Sequence, residues 1–92
     1  MDFLDHADLT GRLRGLVIML DDKITIDQTR YVDESIDASE FGIALQALAD
    51  YLAESSTAIP DDLRLDFERL ATKLEIRDVV MDTLSRCPVE PE

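Results

Sequence analysis

The residues of this chain with chemistry to offer are 21 acids, one His and one Cys, set against nine bases. Asp33, Asp37 and Glu40 are spaced by four and three, and Asp50 and Glu54 by four. On a helix these spacings put carboxylates on one side. Like charges at such separations cost a helix roughly a few tenths of a kcal/mol. A chain tolerates them on a solvated face, or where a cationic partner is to be bound. Paired carboxylates also serve as general acid and base, but that use needs a pocket. Aromatics are only 5% of the chain, which leaves little to build one. Tyr51 lies between Asp50 and Glu54 at the edge of an apolar stripe, and is a candidate binding anchor. Tyr31, beside Arg30, is a second. Core packing accounts equally well for either ring.

The other reactive types form no constellation. His6 sits between Asp5 and Asp8 and reads as a surface residue. Cys87 is alone, so an internal disulfide is impossible, and a reducing cytosol suits it. Only Arg86 is near it in sequence, so it reads as a structural cysteine and not a nucleophile. A calcium loop begun at Asp21 would place Ile26 at the glycine turn and Val32 at the final carboxylate. Begun at Asp22, it would place Ile24 at the third ligand. No Cys pair suggests zinc, and no Gly-rich loop could cradle a phosphate. Residue types alone permit a Ser-His-acid set, but nothing puts His6 beside a particular serine. The reading is no catalytic residue, no metal and no cofactor, and therefore a binding protein.

Charge bounds the partner. A net charge of −12 repels nucleic acid and anionic membranes and attracts a basic protein. Solubility alone is the plainer account of the same charge. The acidic start is unlike a secretory signal. The longest apolar run, Leu16 to Leu20, is too short to span a bilayer.

Helices must position these groups. Ninety-two residues make one domain, 46% apolar residues supply a modest core, and few Gly, Pro and aromatic residues favour helix. Leu9, Leu13, Leu16, Val17 and Leu20 make the first helical stripe, with Asp8 or Thr10 as cap and Phe3, Leu4 and Ala7 as a backward extension. Its apolar run predicts a central helix, and Gly11 and Gly15 mark a bend or a close approach. A second helix, from about Asp27 to Ala38, carries Tyr31, Val32 and Ile36. Ser39 is the expected N-cap of a third, Glu40 to about Ser55, which buries Phe41, Ala44, Leu45, Leu48 and Leu52. Its small stripe, Gly42, Gln46, Ala49 and Ala53, admits another backbone. Pro60 opens a fourth helix that buries Leu63, Phe67, Leu70, Ala71 and Leu74. Ile76, Val79, Val80 and Leu84 mark a fifth, and residues 86–92 read as a loose tail. The expectation is an all-α bundle of four to five short helices in a single domain, residues 1–92.

Ile36-Asp37, Glu40-Phe41-Gly42-Ile43-Ala44-Leu45, Leu48-Ala49-Asp50-Tyr51-Leu52, Ile59-Pro60 and Leu70-Ala71 together resemble the MafI-like immunity proteins. The resemblance runs from about Tyr31 to Ile76. The Gly that usually precedes the Glu of that pattern is Ser39 here. The resemblance implies a cytoplasmic, non-enzymatic protein that binds and neutralises one cognate bacterial toxin, often a nuclease delivered by contact or secretion. Asp33, Asp37, Glu40, Asp50 and Glu54 are then the candidate acidic contacts, with Tyr51 as anchor. A second likeness competes. Glu34-Ser35-Ile36-Asp37 with Glu40, Ala44-Leu45 and Ile59-Pro60-Asp61 is similar to the acyl carrier proteins around their phosphopantetheine serine, which would be Ser35. That family prefers Asp where this chain has Glu34, and it places a long loop where this chain reads as helix.

Overall fold

In the computed structural model, residues 3–90 are described, with side chains from His6 onward. They form five helices: α1 (Phe3–Met19), α2 (Ile26–Asp37), α3 (Phe41–Glu54), α4 (Asp61–Lys73) and α5 (Arg77–Leu84). The all-α expectation holds. The one β feature among the described residues is an isolated bridge between Ile59 and Val89.

The central helix is α3, not α1. It packs against each of the other four helices, while α1 also packs on α2 and α4 on α5. Its composition explains the position. Phe41, Ala44, Leu45, Leu48, Ala49 and Leu52 are all buried and form an apolar arc of roughly 140° at 100° per residue. By contrast α1 buries Leu9, Leu13, Leu16, Val17 and Leu20 but leaves Ile18 75% and Met19 53% exposed. The apolar run in α1 therefore crosses from core to surface. Phe67 and Leu63 of α4 and Val80 and Leu84 of α5 complete the core.

The helix starts follow different rules. Thr25 caps α2: its hydroxyl accepts from the Gln28 backbone N–H at 3.1 Å, and the Gln28 side chain returns the bond to Thr25 N–H at 2.9 Å. Asp8 and Thr10 do not cap α1, which already runs from Phe3. The Thr10 hydroxyl instead donates to the His6 carbonyl one turn back. Ser39 does not cap α3 either, and the reason lies in how α2 ends.

Three helices stop in the same way. After α2, the N–H of Glu40 reaches the Ser35 carbonyl and that of Ser39 reaches Ile36. After α3, Thr57 reaches Leu52 and Ser56 reaches Ala53; after α4, Ile76 reaches Ala71 and Glu75 reaches Thr72. Each is the paired bonding of a Schellman stop, which needs one residue in the left-handed region. Those residues are Ser39 (φ 61°), Ser56 (φ 51°) and Glu75 (φ 62°). Glycine is the usual occupant, and none of this chain's three glycines is used there. Gly11, Gly15 and Gly42 all lie inside helices. A side chain at Gly11 or Gly15 would touch nothing within 4 Å, so neither marks a close approach. Gly42 does meet Ile76, whose Cδ1 would lie 3.7 Å from an added Cβ.

Of the expected loose tail, residues 91–92 lie outside the described residues, and residues 86–90 are not loose. The Ile59 N–H donates to the Pro88 carbonyl at 3.0 Å, and the Glu90 N–H donates to the Ile59 carbonyl at 2.9 Å. Arg64 supplies the cause: its guanidinium donates to the carbonyls of Leu84 at 2.8 Å and Cys87 at 3.0 Å. A cation at the carbonyl end of α5 satisfies groups that the helix leaves open. Cys87, within this segment, is buried. Burial pushes its thiol above the ordinary range, and the nearby Arg64 charge only partly offsets that.

Candidate functional site

The second face of α3 faces outward. Ile43, Gln46, Ala47, Asp50, Tyr51 and Glu54 recur at i, i+3, i+4, i+7, i+8 and i+11, a stripe beside the core stripe. Tyr31 of α2 borders it on one side, and Ile76 and Val79 at the start of α5 border it on the other. Together they line an open groove of about 660 Å³. Tyr31 and Ile43 are each 48% exposed and Val79 is 60% exposed. From Ile43 to Glu54 the groove runs about 16 Å, at 1.5 Å per helical residue.

The small-residue stripe of α3 does meet a neighbour, which is α5. Gln46 spans the two helices: its amide donates to Thr83 Oγ1 at 3.1 Å and to Asp50 Oδ1 at 2.9 Å. Its Oε1 is buried without a donor among the described residues. Those bonds hold Asp50 in place at the polar end of the groove. Tyr51 lies beside it. Burial, then the neighbouring Tyr31, Glu54 and Asp50, push the Tyr51 hydroxyl above its ordinary pKa. The ring therefore keeps its proton in a negative field.

The six proposed contact residues do not form one patch. Asp50, Tyr51 and Glu54 share the groove, and Tyr31 joins them. Asp33 and Asp37 line a separate depression of about 430 Å³ with Asp21, Ile24, Ile26, Thr29, Arg30 and Glu34. There Asp37 is already paired with Arg14 of α1. Glu40 lines neither. It stands at the N-cap of α3 without a side-chain capping bond, beyond the stop that ends α2. The expectation that Asp33, Asp37 and Glu40 share a side is thus corrected: the left-handed Ser39 turns the chain between them.

The charge around this face has a sequence signature that spacing arguments missed. Tyr31 to Leu63 contains eight acids (Asp33, Glu34, Asp37, Glu40, Asp50, Glu54, Asp61 and Asp62) and no Lys or Arg. The other 13 acids share the rest of the chain with all nine bases. Ion pairs follow this division. Asp8 meets Arg12 at 3.1 Å and Lys73 at 3.4 Å, Glu68 meets Arg77 at 3.1 Å, and Asp82 meets Arg86 at 3.8 Å. Within the base-free stretch, Asp37 is the one acid with an ion pair among the described residues.

His6, Ser35 and Cys87 each have a structural place. The His6 ring meets Phe41 edge-on at 5.0 Å, and its Nε2 lies 2.7 Å from Ser39 Oγ, which fastens α1 to the α2–α3 corner. Ser35 is 5% exposed, and its hydroxyl donates to the Tyr31 carbonyl at 3.0 Å. No group of three or more His, Cys, Asp or Glu among the described residues could hold a metal ion. No helix among them is long and apolar enough to cross a membrane. Comparison with known proteins found no matching family model, no matching curated protein and no matching solved structure.

Proposed function

We propose that this chain is a stoichiometric inhibitor of the immunity type, which binds a basic toxin domain through the face built by α2, α3 and the start of α5. The observation that carries the reading is the base-free stretch from Tyr31 to Leu63, folded so that two of its carboxylates, Asp50 and Glu54, line an exposed and largely apolar groove. A toxin that cuts nucleic acid carries a basic cleft for phosphates. An acidic face is drawn to that cleft over distances comparable to the Debye length, which raises the association rate. Apolar contact then supplies the slower dissociation. The reading is binding in the cytoplasm, with no reaction at any residue and no bound cofactor. The resemblance to the MafI-like immunity proteins over Tyr31 to Ile76 points the same way.

Ser35 weighs against the acyl carrier alternative. A phosphopantetheinyl transferase needs its target hydroxyl in solvent, and here that hydroxyl is buried inside α2 and bonded to Tyr31.

The test is recovery of the tagged chain from its native cells, with intact masses recorded, followed by co-expression of the recovered protein with and without the chain. A basic protein held one-to-one by unmodified chain, and toxic only when expressed without it, is the expected result. A mass gain equal to phosphopantetheine at Ser35 would replace this reading with the carrier one.

A further inference from the structure

We infer that the groove between α3 and α5 takes a protein segment presenting an apolar side chain and, one helical turn beyond it, an arginine or lysine. The inference rests on the inhibitor reading for its biological occupant and adds the chemistry of that occupant. The apolar part of the groove is Ile43, Ile76 and Val79, with Gly42 leaving the floor low. Ile43 and Val79 are 48% and 60% exposed, so covering them removes apolar surface from water. The polar end is Asp50 and Glu54, four residues apart on α3, and Tyr51 and Tyr31 line the same groove. Two carboxylates four residues apart, beside two tyrosines, suit a cation, which the carboxylates would hold by ion pairing.

Among the described residues neither Asp50 nor Glu54 has an ion pair, although Lys23 lines an adjoining depression with Tyr51 and Glu54. The nearest base along α5 is Arg77, and it is held by Glu68 at 3.1 Å and Asp78 at 3.4 Å. A second copy of the chain would bring another −12 to the same surface. A purely apolar segment would strand the two carboxylates in a drier environment, which is costly. The partner that satisfies both halves is amphipathic and cationic, and it spans about 16 Å, which is about eleven residues of helix.

The experiment uses the whole chain and a blocked alanine-based helical peptide that carries two leucines four positions apart and an arginine one turn on. Amide shifts are followed by NMR during titration, with a second peptide in which glutamate replaces the arginine. The expected result is saturable shifts centred on Ile43, Asp50, Tyr51, Glu54 and Val79. Affinity should fall roughly tenfold for the glutamate peptide and for the Asp50→Asn/Glu54→Gln variant. Shifts spread evenly to Asp61, Asp62 and Asp82 would mean diffuse charge attraction and overturn the inference. So would equal binding of both peptides, or no binding. A toxin neutralised by the chain while the groove stays silent would refute this inference and leave the inhibitor reading standing. A responsive groove with no toxin neutralised would do the reverse.

Discussion

Asp8 and Asp50 are both helical carboxylates with a charged residue four positions on. For Asp8 that residue is Arg12, and Lys73 of α4 also approaches. For Asp50 it is Glu54, and the groups close by are Tyr51 and the Gln46 amide. Burial opposes ionisation of Asp8, but the bonds and charges of Lys73 and Arg12 win, and its carboxyl is held below the ordinary range. Around Tyr51 the field has the opposite sense and disfavours further negative charge. On the α1–α4 side the charges serve the fold. On the α3 groove they oppose one another, and a partner's cation would relieve them. The difference teaches which acids are free to be used elsewhere.

The largest expected break comes from the helix that both regions share. Leu48→Ala removes a fully buried side chain from the middle of α3 and should cost about 2–5 kcal/mol. Urea denaturation would read it, and a cost below 1 kcal/mol would mean that α3 is not the hub. Next comes the strap over α5. Arg64→Met leaves the Cys87 carbonyl without its Arg64 donor and the Leu84 carbonyl with only the Cys87 N–H, and should cost about 1–3 kcal/mol. Hydrogen exchange at Glu90 N–H should speed up well before that of the core, since the strap then opens locally.

Smaller gains should follow from moving glycines to where the backbone calls for them. Glu75→Gly relieves a left-handed residue and Gly15→Ala fills open space in a helix, each adding up to about 1 kcal/mol. Thermal melts of the two variants and of the pair would show whether the gains add. The smallest effects sharpen the comparison most. Asp8→Asn should lower the melting midpoint at neutral pH, whereas Asp50→Asn should leave it unchanged or slightly raised. The sign for Asp8 follows from its depressed pKa: its contribution is complete above the ordinary aspartate value of 3.8 and is lost as pH falls through the folded value. The two curves should therefore differ at pH 7 and converge in acid.

Much of the fold was legible from apolar spacing. The stripes of α3 and α4 named nearly all of their buried residues, because each helix has one apolar face; Leu74 is only half-buried at the end of α4, and Ala49, read as part of the small-residue stripe, is buried. What spacing could not reveal was how the helices end. Ser39 has the chemistry of an N-cap, and only the bonds from Glu40 and Ser39 back into α2 show that it closes the preceding helix instead. Residues 86–90 looked loose because their anchor, Arg64, lies more than twenty positions away. The site was half legible. Asp50, Tyr51 and Glu54 were readable as neighbours on one helix, but Ile76 and Val79 join them only through the α3–α5 packing. The absence of bases from Tyr31 to Leu63 was there to be counted, and carboxylate spacing drew the eye away from it.

The central claim is that the α3 groove, whose carboxylates have no ion pair among the described residues, binds a basic protein. Its most direct test is the association rate of the recovered partner as salt is varied, for the native chain, Asp50→Asn/Glu54→Gln and the control Asp82→Asn. The account predicts slower association and a shallower salt dependence for the double variant, with the control unchanged. Identical rates and slopes for all three would contradict it.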